Sequence, residues 1–263
     1  MITSSKNERI KAVCELREKS RERRRQGLFV VEGCREITLA MEAGYPVHTL
    51  FFCPEMPAAA TFAEHAGKTV PAQAVSREVF GKMACREHSD GLLALSAVRN
   101  TAFEELKLSG NPFIIIVEAV EKPGNLGAIL RTADAAAADA VVVCSPLADI
   151  YNPNVIRSSL GCVFTQQVVA AGAEETVAWL HAQQIVSYAA ELSATQWYHE
   201  TDFTKPCAIV MGTEAEGLSP YWLQQAGARI KIPMRGRVDS LNVSVSTAIL
   251  AFEAMRQRGF SRQ

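Results

Sequence analysis

Asn125 and Arg131 stand six residues apart in the stretch Lys122-Pro123-Gly124-Asn125-Leu126-Gly127-Ala128-Ile129-Leu130-Arg131-Thr132-Ala133. Leu126, Ile129, Leu130 and Ala133 recur at helical spacing and form an apolar stripe. Asn125 and Arg131 lie off that stripe, where an amide and a guanidinium can meet a polar ligand. Taken alone, Asn125 reads equally well as a helix cap and Arg131 as a surface residue. A second segment, Ile209-Val210-Met211-Gly212-Thr213-Glu214-Ala215-Glu216-Gly217-Leu218-Ser219, runs an apolar strand into a glycine. Glycine there permits a close ligand approach that a Cβ would block. Two acidic residues follow, but no further ligand cluster accompanies them, so a divalent cation is a poor fit. A third segment runs from Ile232-Pro233-Met234 through Arg235-Gly236-Arg237-Val238-Asp239 to Ser240-Leu241-Asn242-Val243-Ser244-Val245. It reads as a strand end, a loop and a capped helix. Leu241, Val245, Ala248, Phe252 and Met255 make that helix's apolar seam. Ser240, Ser244, Thr247 and Ala251 make a face of small residues that another backbone could approach. A fourth segment, Tyr151-Asn152-Pro153-Asn154-Val155-Ile156-Arg157, reads as a turn into a short helix, with Arg157 either solvated or on phosphate.

Several chemistries lack their signatures. There is no dinucleotide-binding glycine fingerprint, no phosphate loop and no nucleophile elbow. The seven cysteines are scattered, odd in number and never spaced as a metal-binding pair, and the five histidines also lack ligand spacing. Buried free thiols in a reducing cytosol are the simplest account, with no metal. The net charge is −1, so any nucleic-acid surface must come from local patterning. The clearest candidate is Arg17-Glu18-Lys19-Ser20-Arg21-Glu22-Arg23-Arg24-Arg25, which reads either as an ion-paired solvated face or as a phosphate-contacting patch. Met1 to Lys6 has no apolar core behind it and no apolar run approaches 18 residues. A cytoplasmic protein without a membrane span is the expectation.

The elements that must position these segments form two series. A charged helix over 4–26 precedes strands at 28–31, 47–53, 70–75 and 91–98, alternating with helices at 35–43, 57–65 and 76–83. The polar stretch 99–111 reads as a linker between domains 1–98 and 112–263. Phe113-Ile114-Ile115-Ile116-Val117 then opens the second series as a strand buried on both faces. A helix at 123–137, strands at 140–144, 184–189, 207–211 and 228–232, and a last helix at 241–258 follow. This alternation predicts an α/β fold with a parallel sheet covered on both sides. Such sheets bind ligands beyond the carboxyl ends of their strands, where the polar segments fall.

Asn125-Leu126-Gly127 with Arg131-Thr132-Ala133, then the strand ending Gly212-x-Glu214-x-x-Gly217-Leu218, then Ile232-Pro233-Met234 and Ser240-Leu241-Asn242-Val243-Ser244-Val245, resemble the three motifs of the SpoU/TrmH methyltransferases. These belong to the SPOUT superfamily. The likeness spans residues 113 to 258. More weakly, Phe29-Val30-Val31-Glu32-Gly33 and Gly91-Leu92-Leu93-Ala94 resemble the family's N-terminal RNA-binding domain, which is similar to a small ribosomal protein fold.

The resemblance implies a C-terminal α/β domain tied into a trefoil knot, a homodimer with each site near the interface, and S-adenosylmethionine as cofactor. It implies transfer of a methyl group to a ribose 2′-hydroxyl of structured RNA, with ribosomal RNA favoured over tRNA; a non-catalytic RNA-binding protein of the same fold is the alternative. Met211, Gly212, Thr213, Gly217, Ile232, Met234 and Leu241 would line the cofactor pocket. Asn125, Arg131, Glu214, Ser240 and Asn242 match the functional polar positions. In that scheme Arg131 clamps phosphate and stabilises the developing alkoxide, Asn125 orients Arg131 or the ribose, Ser240 and Asn242 position the hydroxyl and the loop, and Glu214 organises the knot loops. Arg21, Arg23, Arg24, Arg25 and Arg157 would contact RNA. Two positions depart from the pattern: Ala137 stands where glycine is frequent, and Asn154 where a basic residue is frequent.

Overall fold

A computed structural model describes residues 1–86, 88–144, 149–213 and 215–260. They pack as two units. The first comprises Met1–Arg99 with Asp149–Thr165, and the second takes the remaining described residues.

The first unit carries four strands: β1 (Leu28–Glu32), β2 (Val47–Phe52), β3 (Ala72–Ala74) and β4 (Leu92–Ala97). They lie in the order β1-β4-β2-β3, with only the β2/β3 pair parallel. The charged N-terminal stretch forms two helices rather than one. They are α1 (Glu8–Glu18) and α2 (Ser20–Gln26), broken at Lys19, whose backbone is extended. Helices α3 (Cys34–Glu42), α4 (Pro57–Ala66) and α5 (Arg77–Met83) cover the sheet. Ile10, Val13 and Leu16 of α1 join Val30, Phe51 and Phe80 in the core.

Residues 149–165, which the sequence reading assigned to the domain 112–263, pack into this first unit. They form α7 (Pro153–Ser158) and α8 (Cys162–Thr165). Tyr151 stacks on Phe29 with centroids 4.4 Å apart, and its hydroxyl donates to the Arg99 carbonyl at 2.5 Å. Phe164 meets Tyr45 edge-on at 5.1 Å. Asp149 pairs with Arg23 at 2.5 Å. Aromatic stacking and a shielded ion pair are tertiary contacts with no local signature, so sequence periodicity does not reveal them.

The second unit is a seven-stranded sheet. Its strands are β5 (Phe113–Glu118), β6 (Ala140–Cys144), β7 (Val168–Ala171), β8 (Val186–Ala190), β9 (Gln196–Trp197), β10 (Cys207–Met211) and β11 (Ala228–Lys231). Their order is β7-β6-β5-β10-β8-β11-β9, every pair parallel. β5, β6 and β10 are buried along their whole lengths, as the continuous apolar runs require. β7 and β9 were not anticipated; both are short edge strands, and β9 has two residues. Because all strands run the same way, the loops after β5, β8, β10 and β11 emerge at one edge.

Helices α6 (Pro123–Ala135), α9 (Ala173–Ala182), α10 (Pro220–Gln225) and α11 (Val243–Gln257) complete the unit. α6 ends with the Ala138 N–H on the Ala133 carbonyl at 2.9 Å and the Ala137 N–H on the Asp134 carbonyl at 3.1 Å. This is a Schellman end, and Ala137 takes the left-handed φ of 48° that glycine favours.

α11 reverses one expectation. Of the small face, Thr247 and Ala251 are fully shielded, together with Leu250 and Ala254, and Ser240 is exposed; Leu241, Val245 and Phe252 of the anticipated seam are exposed too. Small side chains let α11 lie close against α6. Thr247 satisfies its buried hydroxyl on the Val243 carbonyl at 2.7 Å. Arg258, just past the helix, donates to the carbonyls of Phe203 (2.8 Å), Asn111 (2.7 Å) and Lys205 (2.7 Å) and sits over the Phe113 ring at 5.5 Å. That clamps the carboxyl end of α11 beneath the amino ends of β5 and β10. A helix of this length spans about 22 Å, so its amino end reaches the opposite edge, where the ligand-binding loops emerge.

Candidate active site

β10 leads into the tightest turn of the site. The Thr213 N–H donates to the Gly217 carbonyl at 2.9 Å and the Gly217 N–H returns to the Thr213 carbonyl at 3.2 Å. The Glu216 N–H donates to Thr213 Oγ1 at 2.9 Å. Gly217 supports the turn with a φ of 71°. Gly212 is needed for a different reason. A Cβ there would lie 2.2 Å from the Gly217 carbonyl carbon and 2.4 Å from the Leu218 nitrogen. The chain folds back onto its own backbone at a spacing only glycine allows. Glu118, buried at the end of β5, accepts from the Ser219 N–H at 2.7 Å and ties this loop to the neighbouring strand.

The loop after β11 ends at Asn242, the N-cap of α11. Its Oδ1 accepts from the Ser244 N–H at 3.0 Å and the Ser244 hydroxyl at 2.6 Å. Its Nδ2 donates to Asn125 Oδ1 at 3.2 Å, joining the first turn of α6 to the cap of α11 across 117 positions of sequence. Ala119, which follows β5, adopts a left-handed φ of 51°. Strain of that kind in a non-glycine residue concentrates at functional sites.

Two cavities open on this edge. One, of about 350 Å³, is lined by all seven residues expected at the cofactor, with Ser240 among its other walls. Apolar Ile232, Met234 and Leu241 mark one part of it, and the backbone of 211–213 another. The second, of about 280 Å³, is lined by Ala119, Glu121, Lys122 and Asn125. Thr213, Ala215, Glu216 and Val243 line both, so one wall is shared.

The remaining expected residues fall in different places. Arg131 is exposed on the second half of α6, lines neither cavity, and makes no hydrogen bond or ion pair with a described residue. Glu214 lies outside the described residues. Glu191 and Lys231 line the larger cavity and were missed; each closes or follows a short strand, and no motif marks them. Among the described residues, no cluster of His, Cys, Asp or Glu could hold a metal.

The basic stretch divides by burial. Arg23 is 2% exposed. It donates to Asp149, to the Arg17 carbonyl at 2.9 Å and to the Leu16 carbonyl. Its place among the RNA-contacting residues is therefore corrected: it is a buried anchor. Arg25 is exposed but paired with Glu22 at 2.6 Å. Arg21, Arg24 and Arg157 are exposed.

Comparison with known proteins gives this geometry its context. The profile of the SpoU rRNA methylase family matches residues 112–252. The chain belongs to the SpoU methylase family. The profile of the MRM3-like substrate binding domain matches residues 7–94. The chain is 28% identical to a 23S rRNA (uridine(2479)-2′-O)-methyltransferase of Streptomyces viridochromogenes, covering 97% of this chain and 92% of the relative. It is also 28% identical to a 23S rRNA (guanosine(2553)-2′-O)-methyltransferase of Bacillus subtilis, over 95% and 97% of the two chains. Among solved structures, the SpoU methyltransferase of S. viridochromogenes in complex with S-adenosylmethionine superposes with a TM-score of 0.89 at 27% identity. That match covers 98% of this chain and all of the other. The SpoU/TrmH resemblance and the two-part α/β fold are thereby established for this chain.

Proposed function

We propose that this SpoU-family chain is an S-adenosylmethionine-dependent methyltransferase that modifies a ribose 2′-hydroxyl of ribosomal RNA. The observation that carries the reading is the shared wall. A cavity sized and lined for a nucleoside cofactor meets a polar cavity across Thr213, Ala215, Glu216 and Val243. The cradle at Gly212, where the chain folds back and packs on its own backbone, turns main-chain groups of 211–213 to the cavity wall, which suits a cofactor held mainly by main-chain groups.

S-adenosylmethionine, when bound, supplies a methyl group activated on a sulfonium. The chain's own residues align the acceptor with it, and alignment is a large part of the rate of an in-line displacement. Asn125, which lines the second cavity, and Asn242 bonded to it orient the ribose, and Ser240, on the wall of the larger cavity, positions the hydroxyl. The hydroxyl must lose its proton as it attacks. A guanidinium holds its own protons too firmly to take that one. The part proposed for Arg131, exposed and outside both cavities of its own chain, is therefore to clamp an RNA phosphate and, where the bound RNA or a second copy brings it to the acceptor, to stabilise the developing alkoxide.

The rest of the proposal concerns assembly and setting. The exposed row Leu241, Val245 and Phe252 is the contact face of a homodimer. Leu241 lies on that face and lines the cofactor cavity, so a second copy would border the site. A monomer by light scattering at assay concentrations would refute this. The path from β11 through 232–242 to α11 is read as the trefoil knot. Residues 1–98 are the RNA-binding domain, aided by Arg21, Arg24, Arg25 and Arg157, in a cytoplasmic enzyme. No helix of the described residues is long and apolar enough to cross a membrane.

The test is transfer of labelled methyl from S-adenosylmethionine to RNA from cells lacking this gene, mapped by nuclease digestion. One 2′-O-methylated nucleoside in 23S rRNA is the expected product; label confined to tRNA, or none, refutes the reading. Arg131→Ala is expected to abolish transfer and leave the melting temperature unchanged. Near wild-type turnover would remove Arg131 from the mechanism.

A further inference from the structure

One polar group in the larger cavity has no assigned task. Glu191 directly follows β8, and β8 lies between β10 and β11. Its backbone N–H donates to the Ile230 carbonyl at 2.9 Å, which continues the ladder and fixes its Cα. One carboxylate oxygen, Oε1, accepts from the Ser193 hydroxyl. The other, Oε2, is shielded from solvent and has no hydrogen-bond partner among the described residues. A buried carboxylate oxygen without a donor is unfavourable. Because this side chain lines the cavity, a ligand is the natural source of that donor.

The lining indicates which part of the cofactor supplies it. Ile232, Met234 and Leu241 offer apolar surface for the adenine ring. The reactive methyl must face the shared wall of Thr213, Ala215, Glu216 and Val243, because it passes there to the acceptor. The ribose is bonded between those two parts. Glu191 occupies the corresponding middle position, on the strand flanked by β10, which leads to the shared wall, and β11, which leads to the apolar part. A carboxylate has several lone-pair sites and suits a vicinal diol; an acidic residue near a strand end takes ribose hydroxyls in other α/β folds.

We infer that Glu191 accepts hydrogen bonds from the vicinal ribose hydroxyls of S-adenosylmethionine, and that Ser193 is the positioning residue that holds its carboxylate in place. The inference rests on the methyl-transfer reading above and adds the group by which this chain distinguishes a ribonucleoside cofactor.

Calorimetric titration of the full chain with S-adenosylhomocysteine, its 2′,3′-dideoxy analogue and its desamino analogue tests the assignment. Wild type should bind the dideoxy analogue about 10- to 100-fold more weakly than the parent. Glu191→Ala should lose that discrimination while keeping the wild-type ratio for the desamino analogue. Ser193→Ala should lose part of it. Glu191→Gln, which preserves shape, guards against a folding defect and should also weaken the preference. Equal dideoxy discrimination in wild type and both Glu191 variants overturns the assignment. Loss of desamino discrimination instead moves Glu191 to the ammonium group and also overturns it. Absence of any S-adenosylhomocysteine binding by folded wild type refutes the methyl-transfer reading itself, and the Glu191 assignment with it.

Discussion

Gly212→Ala probes the cradle most directly. The added Cβ would lie 2.2 Å from the Gly217 carbonyl carbon, 2.3 Å from its oxygen and 2.4 Å from the Leu218 nitrogen. All three atoms are backbone, so no side chain can swing aside. Relief requires opening the turn closed by the two hydrogen bonds between Thr213 and Gly217. Overpacking of this kind costs about 1–3 kcal/mol, and each lost hydrogen bond about 1 kcal/mol. The sum, about 3–5 kcal/mol if both bonds are lost, divides between stability and ligand affinity, because the displaced turn lines both cavities. Two glycines nearby serve as controls. A Cβ at Gly236 meets nothing within 4 Å, so Gly236→Ala should stay within about 0.5 kcal/mol of wild type. A Cβ at Gly217 is also unobstructed, but its φ is 71°, so Gly217→Ala should cost about 1–2 kcal/mol. Urea denaturation with and without S-adenosylhomocysteine, together with calorimetric titration, separates the two effects. Gly212→Ala is expected to weaken binding at least about tenfold. A variant with wild-type midpoint and wild-type affinity would show that the close backbone approach does not build the pocket.

The other predictions reach further from the cavity. Ala137→Gly should stabilise the chain by about 0.5–1 kcal/mol, because the left-handed cap strains alanine more than glycine's added unfolded-state freedom takes away; a lower urea midpoint would contradict this. Arg23→Ala should destabilise by about 3–5 kcal/mol by leaving Asp149 shielded and unpaired, whereas Arg24→Ala should leave the midpoint unchanged and weaken RNA binding, most visibly at low salt. The reverse pattern would return Arg23 to the RNA surface. Burial pushes the Cys34 and Cys85 thiols up to about 12 and those of Cys144 and Cys207 up to about 11. These groups should resist alkylation at pH 8, as read by mass spectrometry. An unfolded chain releases these protons near pH 9 while the folded chain still binds them, so stability should fall as pH rises from 9 toward 11; a rising urea midpoint there would refute the shifts.

Local sequence carried much of this protein. The run at 113–117 specifies a strand buried on both faces because apolar side chains point both ways from it. Pro123, the stripe from Leu126 to Ala133 and the motif at Gly212 specify a helix and a turn at a strand's carboxyl end. The seven positions that line the larger cavity follow, since motif residues after parallel strands emerge at one edge. The polar partnerships do not follow. Asn125 and Asn242 meet because α11 packs on α6 and β10 with its far end held by Arg258, and nothing in the intervening sequence encodes that contact. The apolar row on α11 has the same periodicity whether it faces the core or a partner. Which face is buried, the one with Thr247, Leu250, Ala251 and Ala254, was settled by the packing of α11 on α6 and β10. Arg23 and its exposed neighbours are chemically alike in sequence, and Asp149 with the Leu16 and Arg17 carbonyls separates the anchor from the surface charges. Glu191 carries no motif because its task arises from its strand's place between two others. Periodicity and glycine placement are local and can be read along the chain. Which faces meet, and which polar groups are left without partners, depends on packing between distant segments and was decided only in the folded structure.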